Sequence, residues 1–158
     1  MSVQNIRLPS VPPDYIKEVI KEGTNLNPDN LRIRGTETQV GRSYQLQYKD
    51  KVLATWSVSS IRGCQELAVS HAVEINEEFR GIGLGKALHT FRLQQYYSQG
   101  IKSLICTSVA SNVAQTVILA NSGWNMVSQF HNERTGNDVI VWIRTSSSIP
   151  ISLSLIHI

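Results

Sequence analysis

The feature that most constrains this chain is a set of three glycines at alternate positions, in the segment Arg80-Gly81-Ile82-Gly83-Leu84-Gly85. Before this segment, apolar residues alternate with small or polar ones over residues 67–75, which is the period of a β-strand. After it, apolar residues recur at helical spacing over residues 84–91. Such a turn brings backbone N–H groups to the positive end of a helix. We therefore expect an anion site there, and phosphate is the usual occupant.

The residues around the turn favour a phosphate-bearing ligand but not two common nucleotide motifs. Arg80 at the entrance and Lys86 inside the turn add positive charge. A Walker loop needs Ser or Thr after its lysine to hold magnesium, whereas residue 87 is Ala. The dinucleotide pattern G-x-G-x-x-G also fails, because these glycines follow a G-x-G-x-G spacing.

The remaining segments predict a mixed α/β fold. A strand, a helix and a second apolar strand at 101–109 form a βαβ unit with two parallel strands. Residues 24–41 are rich in Asn, Thr and Gly and indicate a loop with at most one short strand. The other predicted elements are a helix from Asp14 to Gly23, a hairpin over 44–60, a helix from about 112 to 121, and an antiparallel pair at 124–130 and 139–143.

Composition favours one globular domain. The chain has 158 residues, of which 41% are hydrophobic and 17% charged, and its net charge of +3 is mild. It has no apolar stretch of about 18 residues, so we expect no membrane span. Two cysteines without metal-ligand spacing predict no metal site and a reducing cytoplasmic location. We expect a single domain over residues 1–145, followed at 146–158 by a linker and a tail that looks non-native.

At the glycine turn the sequence resembles the GNAT superfamily of acyl-CoA N-acyltransferases. Residues 80–85 match its [Q/R]-x-x-G-x-[G/A] signature, and residues 73–79 resemble the strand and entry that precede it. A second segment, where the family places Asn, Tyr, Gly and Phe or Trp, maps onto Asn112, Leu119, Gly123 and Trp124. The resemblance covers about residues 44–145.

The resemblance implies a mixed sheet of six or seven strands with helices on both faces, and two strands that splay apart at their C-terminal ends. An acyl-CoA such as acetyl-CoA would enter that gap. Backbone groups of Val73 and Ile75 would bind the pantetheine arm, the turn would hold the pyrophosphate, and Asn112 would face the cofactor. The implied cofactor-binding residues are Val73, Glu74, Ile75, Arg80, Gly81, Ile82, Gly83, Leu84, Gly85, Lys86 and Asn112.

For catalysis we single out His71 and Glu66. His71 lies by alternation on the same strand face as Val73 and titrates near neutral pH, so it is a candidate general base. Glu66 stands where the strand begins, and some relatives keep a base near there. Glu74 should point away from His71. Each of these residues also has a purely structural interpretation, as a satisfied histidine or a solvated carboxylate.

Leu119 occupies the position where many family members have a proton-donating tyrosine. Two functions therefore stay open. The first is an N-acyltransferase that moves an acetyl group from acetyl-CoA to a primary amine in a ternary complex, working as a monomer or homodimer. The second is a catalytically impaired acyl-CoA-binding module that acts as a sensor or interaction domain. A nucleic-acid-binding domain is disfavoured, because the chain lacks aromatic–basic interleaving and a helix-turn-helix pattern.

Overall fold

The computed structural model describes residues 3–146, which form three α helices and an eight-stranded mixed sheet. The helices are α1 (Asp14–Gly23), α2 (Leu84–Ser98) and α3 (Val113–Asn121). The strands are β1 (Leu31–Glu37), β2 (Gly41–Tyr48), β3 (Lys51–Ile61), β4 (Cys64–Ser70), β5 (Glu74–Ile75), β6 (Ser103–Val109), β7 (Asn125–Asn132) and β8 (Asn137–Thr145).

The sheet has the strand order β1-β2-β3-β4-β6-β8-β7, and β5 pairs with β3 outside this path. β4 and β6 are parallel and are joined by α2, while the other pairs are antiparallel. The mixed α/β class is therefore confirmed. The count of eight strands exceeds the expected six or seven because β5 is a separate strand of two residues. The stretch 24–41, where we expected a loop with at most one short strand, contains the seven-residue strand β1, which is longer than expected because it pairs with β2 along its whole length.

The three helices contact one face of the sheet, here called the helix face. Arg92 of α2 donates to Ser70 of β4, and Arg144 of β8 donates to the carbonyl of Ser122 at the end of α3. α1 packs beside α2, where the Tyr15 hydroxyl donates to Gln94. The resemblance implied helices on both faces of the sheet, but within residues 3–146 the three α helices all lie on one face.

The core lies between this face and the helices. Buried sheet residues such as Trp56, Leu104 and Trp142 belong to one core cluster with Leu88 and Phe91 of α2. Burying an apolar side chain of this size stabilises the fold by about 1.5–3 kcal/mol. The core therefore fixes α2, and with it the turn that precedes it, against the parallel strands.

The strand predicted over residues 67–75 is interrupted. Val58 of β3 pairs with Ser70, and Thr55 pairs with Glu74. Between these two pairs β3 covers three residue steps while the segment from Ser70 to Glu74 covers four. That segment therefore contains one extra residue, a β-bulge. The extra residue reverses the alternation beyond it and places Glu74 opposite Thr55, on the open face of the sheet away from the helices.

Within residues 3–146, no helix is long and apolar enough to cross a membrane. The predicted linker and tail at 146–158 lie outside the described residues, apart from Ser146.

Candidate functional site

A gap opens between β4 and β6 where their parallel pairing stops. The pairs run from Leu67 with Ser103 to Val69 with Ile105. Beyond that point β6 stays with β8 as far as Val109, whereas residues 71–76 stay with β3. The N–H of His71 donates to the carbonyl of Ser57 at 3.1 Å, and that of Asn76 to Leu53 at 2.8 Å. The splay that the resemblance implies is therefore present.

The edge of residues 73–75 that faces this gap carries backbone groups. Because Asn76 donates towards β3, alternation turns the backbone groups of Ile75 the other way, towards the gap. One of these backbone groups, the Ile75 carbonyl, already accepts a hydrogen bond from Nε of Arg80 at 2.9 Å. Arg80 is thereby held at the entrance of the glycine turn with its guanidinium exposed.

The glycine turn needs glycine for its backbone conformation. Gly81 and Gly83 have φ values of +79° and +92°, which side-chain-bearing residues rarely adopt. A Cβ atom on either would meet no heavy atom within 4 Å, so the space above both residues is open. At Gly85 a Cβ atom would lie 3.2 Å from Cδ1 of Ile75, so close packing of α2 against β5 explains the third glycine.

The first turn of α2 presents uncapped backbone N–H groups. Its N-cap residue is Gly83, which has no side chain to accept from them. The first turn contains no acidic residue but does contain Lys86, which is exposed. Four N–H groups at a helix start lack partners within the helix and concentrate a partial positive charge. The turn therefore suits a phosphate-bearing group.

A buried arginine that the sequence analysis missed holds the chain where it leaves β6. Arg92 of α2 is 5% exposed, and its two terminal nitrogens donate to the His71 carbonyl and the Ser70 hydroxyl, each at 2.8 Å. Its Nε atom has no hydrogen-bond partner among the described residues. Burial lowers the pKa of Arg92. The helical spacing of residues 84–91 gave no signal for an inward-facing charge at position 92.

His71 lies next to the gap, on the open face of the sheet. Its Nε2 atom is 2.8 Å from Oγ of Ser59 on β3. Partial burial, and secondarily the charge of Arg92, lowers the pKa of His71 from its usual value of 6.5. The imidazole is therefore neutral at neutral pH and able to accept a proton. Ser59 could not be singled out from the sequence, because it lies beside Ser57 and Ser60 and no motif distinguishes it from them.

The structure does not bring Glu66 to the gap. Glu66 is exposed near the start of β4, where its carbonyl accepts from the N–H of Lys102. Glu66 and His71 are five positions apart, which is about 17 Å along a strand.

Glu74, in contrast, is brought to the face that carries His71. Their partners on β3, Thr55 and Ser57, are two residues apart, or about 7 Å. The expectation that Glu74 points away from His71 is therefore wrong, because it assumed alternation without the bulge.

A cavity of about 820 Å³ lies beside this segment. It is lined by Val52, Leu53, Ala54, Thr55, Val73, Glu74, Ile75, Asn76 and Arg80. None of these residues belongs to β6, so the cavity adjoins the β3 side of residues 73–76 rather than filling the gap. The cavity has the polar groups to orient a small ligand, with Glu74 and Arg80 in its wall.

Asn112 and Leu119 have structural roles in α3. Asn112 is its N-cap, and its side-chain oxygen accepts from the N–H of Gln115 at 3.1 Å. Leu119 is 1% exposed and packs in the core. No hydroxyl is present at the position where many family members have a tyrosine.

Two further titratable groups are unsuited to catalysis. Burial raises the pKa of Cys106 to about 12, so its thiol stays protonated at neutral pH and is a poor nucleophile. Burial, with smaller effects from Arg92 and Arg144, lowers the pKa of His89 to about 4. His89 accepts from the Trp124 indole at 3.2 Å. Among residues 3–146, no group of His, Cys, Asp or Glu is arranged to hold a metal ion.

Comparison with known proteins gives matches through structure alone. No family model matches the sequence, and no curated protein matches it. A GNAT family acetyltransferase from Elizabethkingia anophelis, solved with acetyl-CoA bound, superposes with a TM-score of 0.63. It is 13% identical, over 74% of this chain and 99% of that chain. This chain has the GNAT fold.

Two other solved structures agree. A Bacillus subtilis acetyltransferase in complex with CoA has a TM-score of 0.62 at 12% identity, over 73% of this chain and 98% of that one. The ribosomal-protein-S18-alanine N-acetyltransferase of Escherichia coli has a TM-score of 0.56 at 19% identity, over 65% of this chain and 67% of that one. At these identities the likeness establishes the fold alone, and the expected GNAT fold is confirmed.

Proposed function

We propose that this chain is an acetyl-CoA-dependent N-acetyltransferase that acts on a primary amine. The observation that carries the proposal is the junction of the β4–β6 gap with the Gly81–Gly83 turn, since one elongated ligand can lie in both. GNAT-fold neighbours bind acetyl-CoA or CoA. The single domain at 1–145 and the cytoplasmic location stay predictions.

The residues around the gap suit acetyl-CoA. The uncapped N–H groups at the start of α2, together with Arg80 and Lys86, would hold the pyrophosphate. The gap-facing backbone groups of Val73 and Ile75 would pair with the pantetheine amides as an added strand does. Because Arg80 already occupies the Ile75 carbonyl, we expect the Ile75 N–H to be the group that remains available. Asn112 would bind only through atoms that its capping bond leaves free.

The bound thioester supplies an activated acetyl group, and the protein supplies a proton acceptor. In the reaction the amine nitrogen forms a C–N bond to the carbonyl carbon, and the C–S bond breaks. An amine with a pKa of about 10 is mostly protonated at neutral pH, so it must first lose a proton. We assign this step to neutral His71, whose Nε2 contact with Ser59 leaves Nδ1 for the substrate. The backbone N–H of Val73 is the candidate donor to the carbonyl oxygen.

The departing sulfur must gain a proton, and buried Leu119 cannot supply it. Water or the displaced amine proton would do so, because a CoA thiolate is a fairly good leaving group. The same observation favours the second candidate function, an acyl-CoA-binding module without turnover.

Titration calorimetry with acetyl-CoA on the full chain tests the binding part of the proposal. We expect a 1:1 complex with a Kd of about 100 μM or tighter. Free-thiol release with a panel of amines then tests turnover: a polyamine, a peptide with a free N-terminus, and an N-blocked peptide with one lysine. Release with one amine supports the transferase. Tight binding without release from any amine supports the binding module, and no binding to the folded chain refutes both.

A further inference from the structure

Glu74 lies on the open face of the sheet because of the bulge before it. Without the extra residue, alternation from Ser70 would turn the Glu74 carboxylate to the helix face, where the apolar core lies. With the extra residue, Ile75 takes the helix face instead, close to Gly85 of α2. Bulges beside active sites commonly redirect a side chain in this way. The redirected carboxylate is thus placed on the face that carries His71.

No cation of the protein pairs with the Glu74 carboxylate. None of the ion pairs within residues 3–146 includes Glu74, which is exposed. In the cross-strand register Arg34 of β1 lies in line with Glu74 but three strands away, or about 14 Å. Arg80 shares the cavity wall, but its Nε atom is held by the Ile75 carbonyl on the side of the gap. The carboxylate is therefore available to a cationic ligand.

The cavity of about 820 Å³ surrounds this carboxylate with a largely apolar wall. Five of its nine lining residues are aliphatic, namely Val52, Leu53, Ala54, Val73 and Ile75. Thr55 and Asn76 add neutral polar groups. A cavity with an apolar wall and few polar groups accepts hydrocarbon and uses the polar groups to orient it. This wall suits a chain of methylene groups that carries a positive charge at one end.

Glu74 also lies at a defined distance from the proposed base. The β3 residues that face Glu74 and His71 are Thr55 and Ser57, which are two positions, or about 7 Å, apart. An extended saturated chain advances about 1.25 Å per bond, so two nitrogens joined by four or five carbons are roughly 6–7.5 Å apart. An amine at His71 would therefore place a second nitrogen on such a chain beside Glu74.

We propose that the acceptor is a diamine, or a polyamine of the same spacing, and that Glu74 selects it by binding its second ammonium group. This inference rests on the acetyltransferase function proposed above. The nitrogen at His71 gives up its proton and receives the acetyl group, CoA leaves as the thiol, and the nitrogen at Glu74 stays protonated. A monoamine would lack the charge-assisted hydrogen bond to Glu74, so the site would bind it less well.

A matched pair of amines tests the proposal, 1,4-diaminobutane and 1-aminopentane, because they differ only by a methyl group in place of the second amine. We expect kcat/KM to be about tenfold or more higher for the diamine, mainly through a lower KM. Glu74→Gln should raise KM for the diamine by about tenfold and leave both constants for 1-aminopentane unchanged. Glu18→Gln is the matched control, because it removes an exposed carboxylate from α1 and should behave as the wild type does.

The kinetic outcomes separate this inference from the function on which it rests. Turnover of amines without a preference for the diamine refutes the role of Glu74 and leaves the acetyltransferase function standing. A diamine KM that Glu74→Gln does not change refutes it as well. A fall in kcat for both amines alike would make Glu74 a proton acceptor and would equally overturn the proposal.

Titration calorimetry with 1,4-diaminobutane on the full chain, with and without CoA, reports binding without turnover. We expect Glu74→Gln to weaken this binding by about tenfold and Glu18→Gln to leave it unchanged. If no amine releases thiol, diamine binding that depends on Glu74 would still support the diamine site while refuting catalysis. Absence of such binding, together with absence of thiol release, refutes both.

Discussion

Replacing Gly83 with alanine separates the two reasons for a glycine in the turn. Gly83 has φ of +92°, and its added Cβ would meet no protein atom within 4 Å. The cost to the free protein is therefore the left-handed backbone alone, about 1–2 kcal/mol. For a domain of this size that lowers Tm by roughly 3–6 °C. The Cβ would also stand over the start of α2, where the proposed pyrophosphate must approach the backbone. We expect acetyl-CoA binding to weaken by about tenfold or more.

Gly63 offers a control with the same backbone strain. It lies in the turn between β3 and β4 with φ of +84°, and its Cβ would likewise meet no atom within 4 Å. Gly63→Ala should cost a similar free energy of unfolding in urea and leave acetyl-CoA affinity unchanged in titration calorimetry. If Gly83→Ala binds acetyl-CoA as tightly as Gly63→Ala does, the turn is only a strand-to-helix connection and our assignment of the phosphate site is refuted.

Three further predictions concern side chains. Ser59→Ala should lower kcat about tenfold and shift the acidic limb of the pH–rate profile, because His71 loses the contact that orients it; an unchanged profile would remove His71 as the base. The low pKa of His89, about 4 against 6.5 unfolded, means that the unfolded chain binds more protons between these values, so stability should fall by about 3 kcal/mol as pH drops through that range. His89→Gln should lose this dependence in urea titrations at each pH, and an unchanged slope would assign it to other groups. Iodoacetamide at neutral pH should alkylate exposed Cys64 and spare Cys106, as read by peptide mass spectrometry, because burial raises the pKa of the Cys106 thiol to about 12; equal labelling would contradict that burial.

The elements around the glycine turn could be predicted because their signals are local. Alternation marked β4 up to Ser70, helical spacing marked α2, and glycines at positive φ marked the turn between them. The gap itself followed from the family resemblance. These features depend on residues adjacent in sequence, so a period and a turn composition were enough to locate them.

The bulge before Glu74 could not be predicted, because the residues that contact this segment, on β3 and at Arg92, are distant from it in sequence. Apolar residues continue to alternate through Val73 and Ile75, and this pattern hides the extra residue. Arg92 lies 21 residues beyond His71 and holds its carbonyl from the helix face. Period-based reasoning therefore assigned Glu74 to the wrong face. Glu66 was singled out from the family resemblance, and the structure places it near the start of β4, away from the gap.

The bulge, the gap and Arg92 belong to one physical arrangement. A strand that leaves its neighbour exposes backbone groups, and unpaired polar groups in a protein interior are costly. β3 takes up one edge of residues 71–76, and Arg92 satisfies the His71 carbonyl at the point of departure. The edge facing β6 stays available for a ligand that can pair as a strand does. Among residues 3–146 no carboxylate pairs with the buried Arg92 guanidinium, which is costly. Its bonds to the His71 carbonyl and the Ser70 hydroxyl stabilise the separation of β4 from β6. On this reasoning the conformation of the gap is set by the protein before acetyl-CoA arrives, and the proposed binding requires little rearrangement of the sheet.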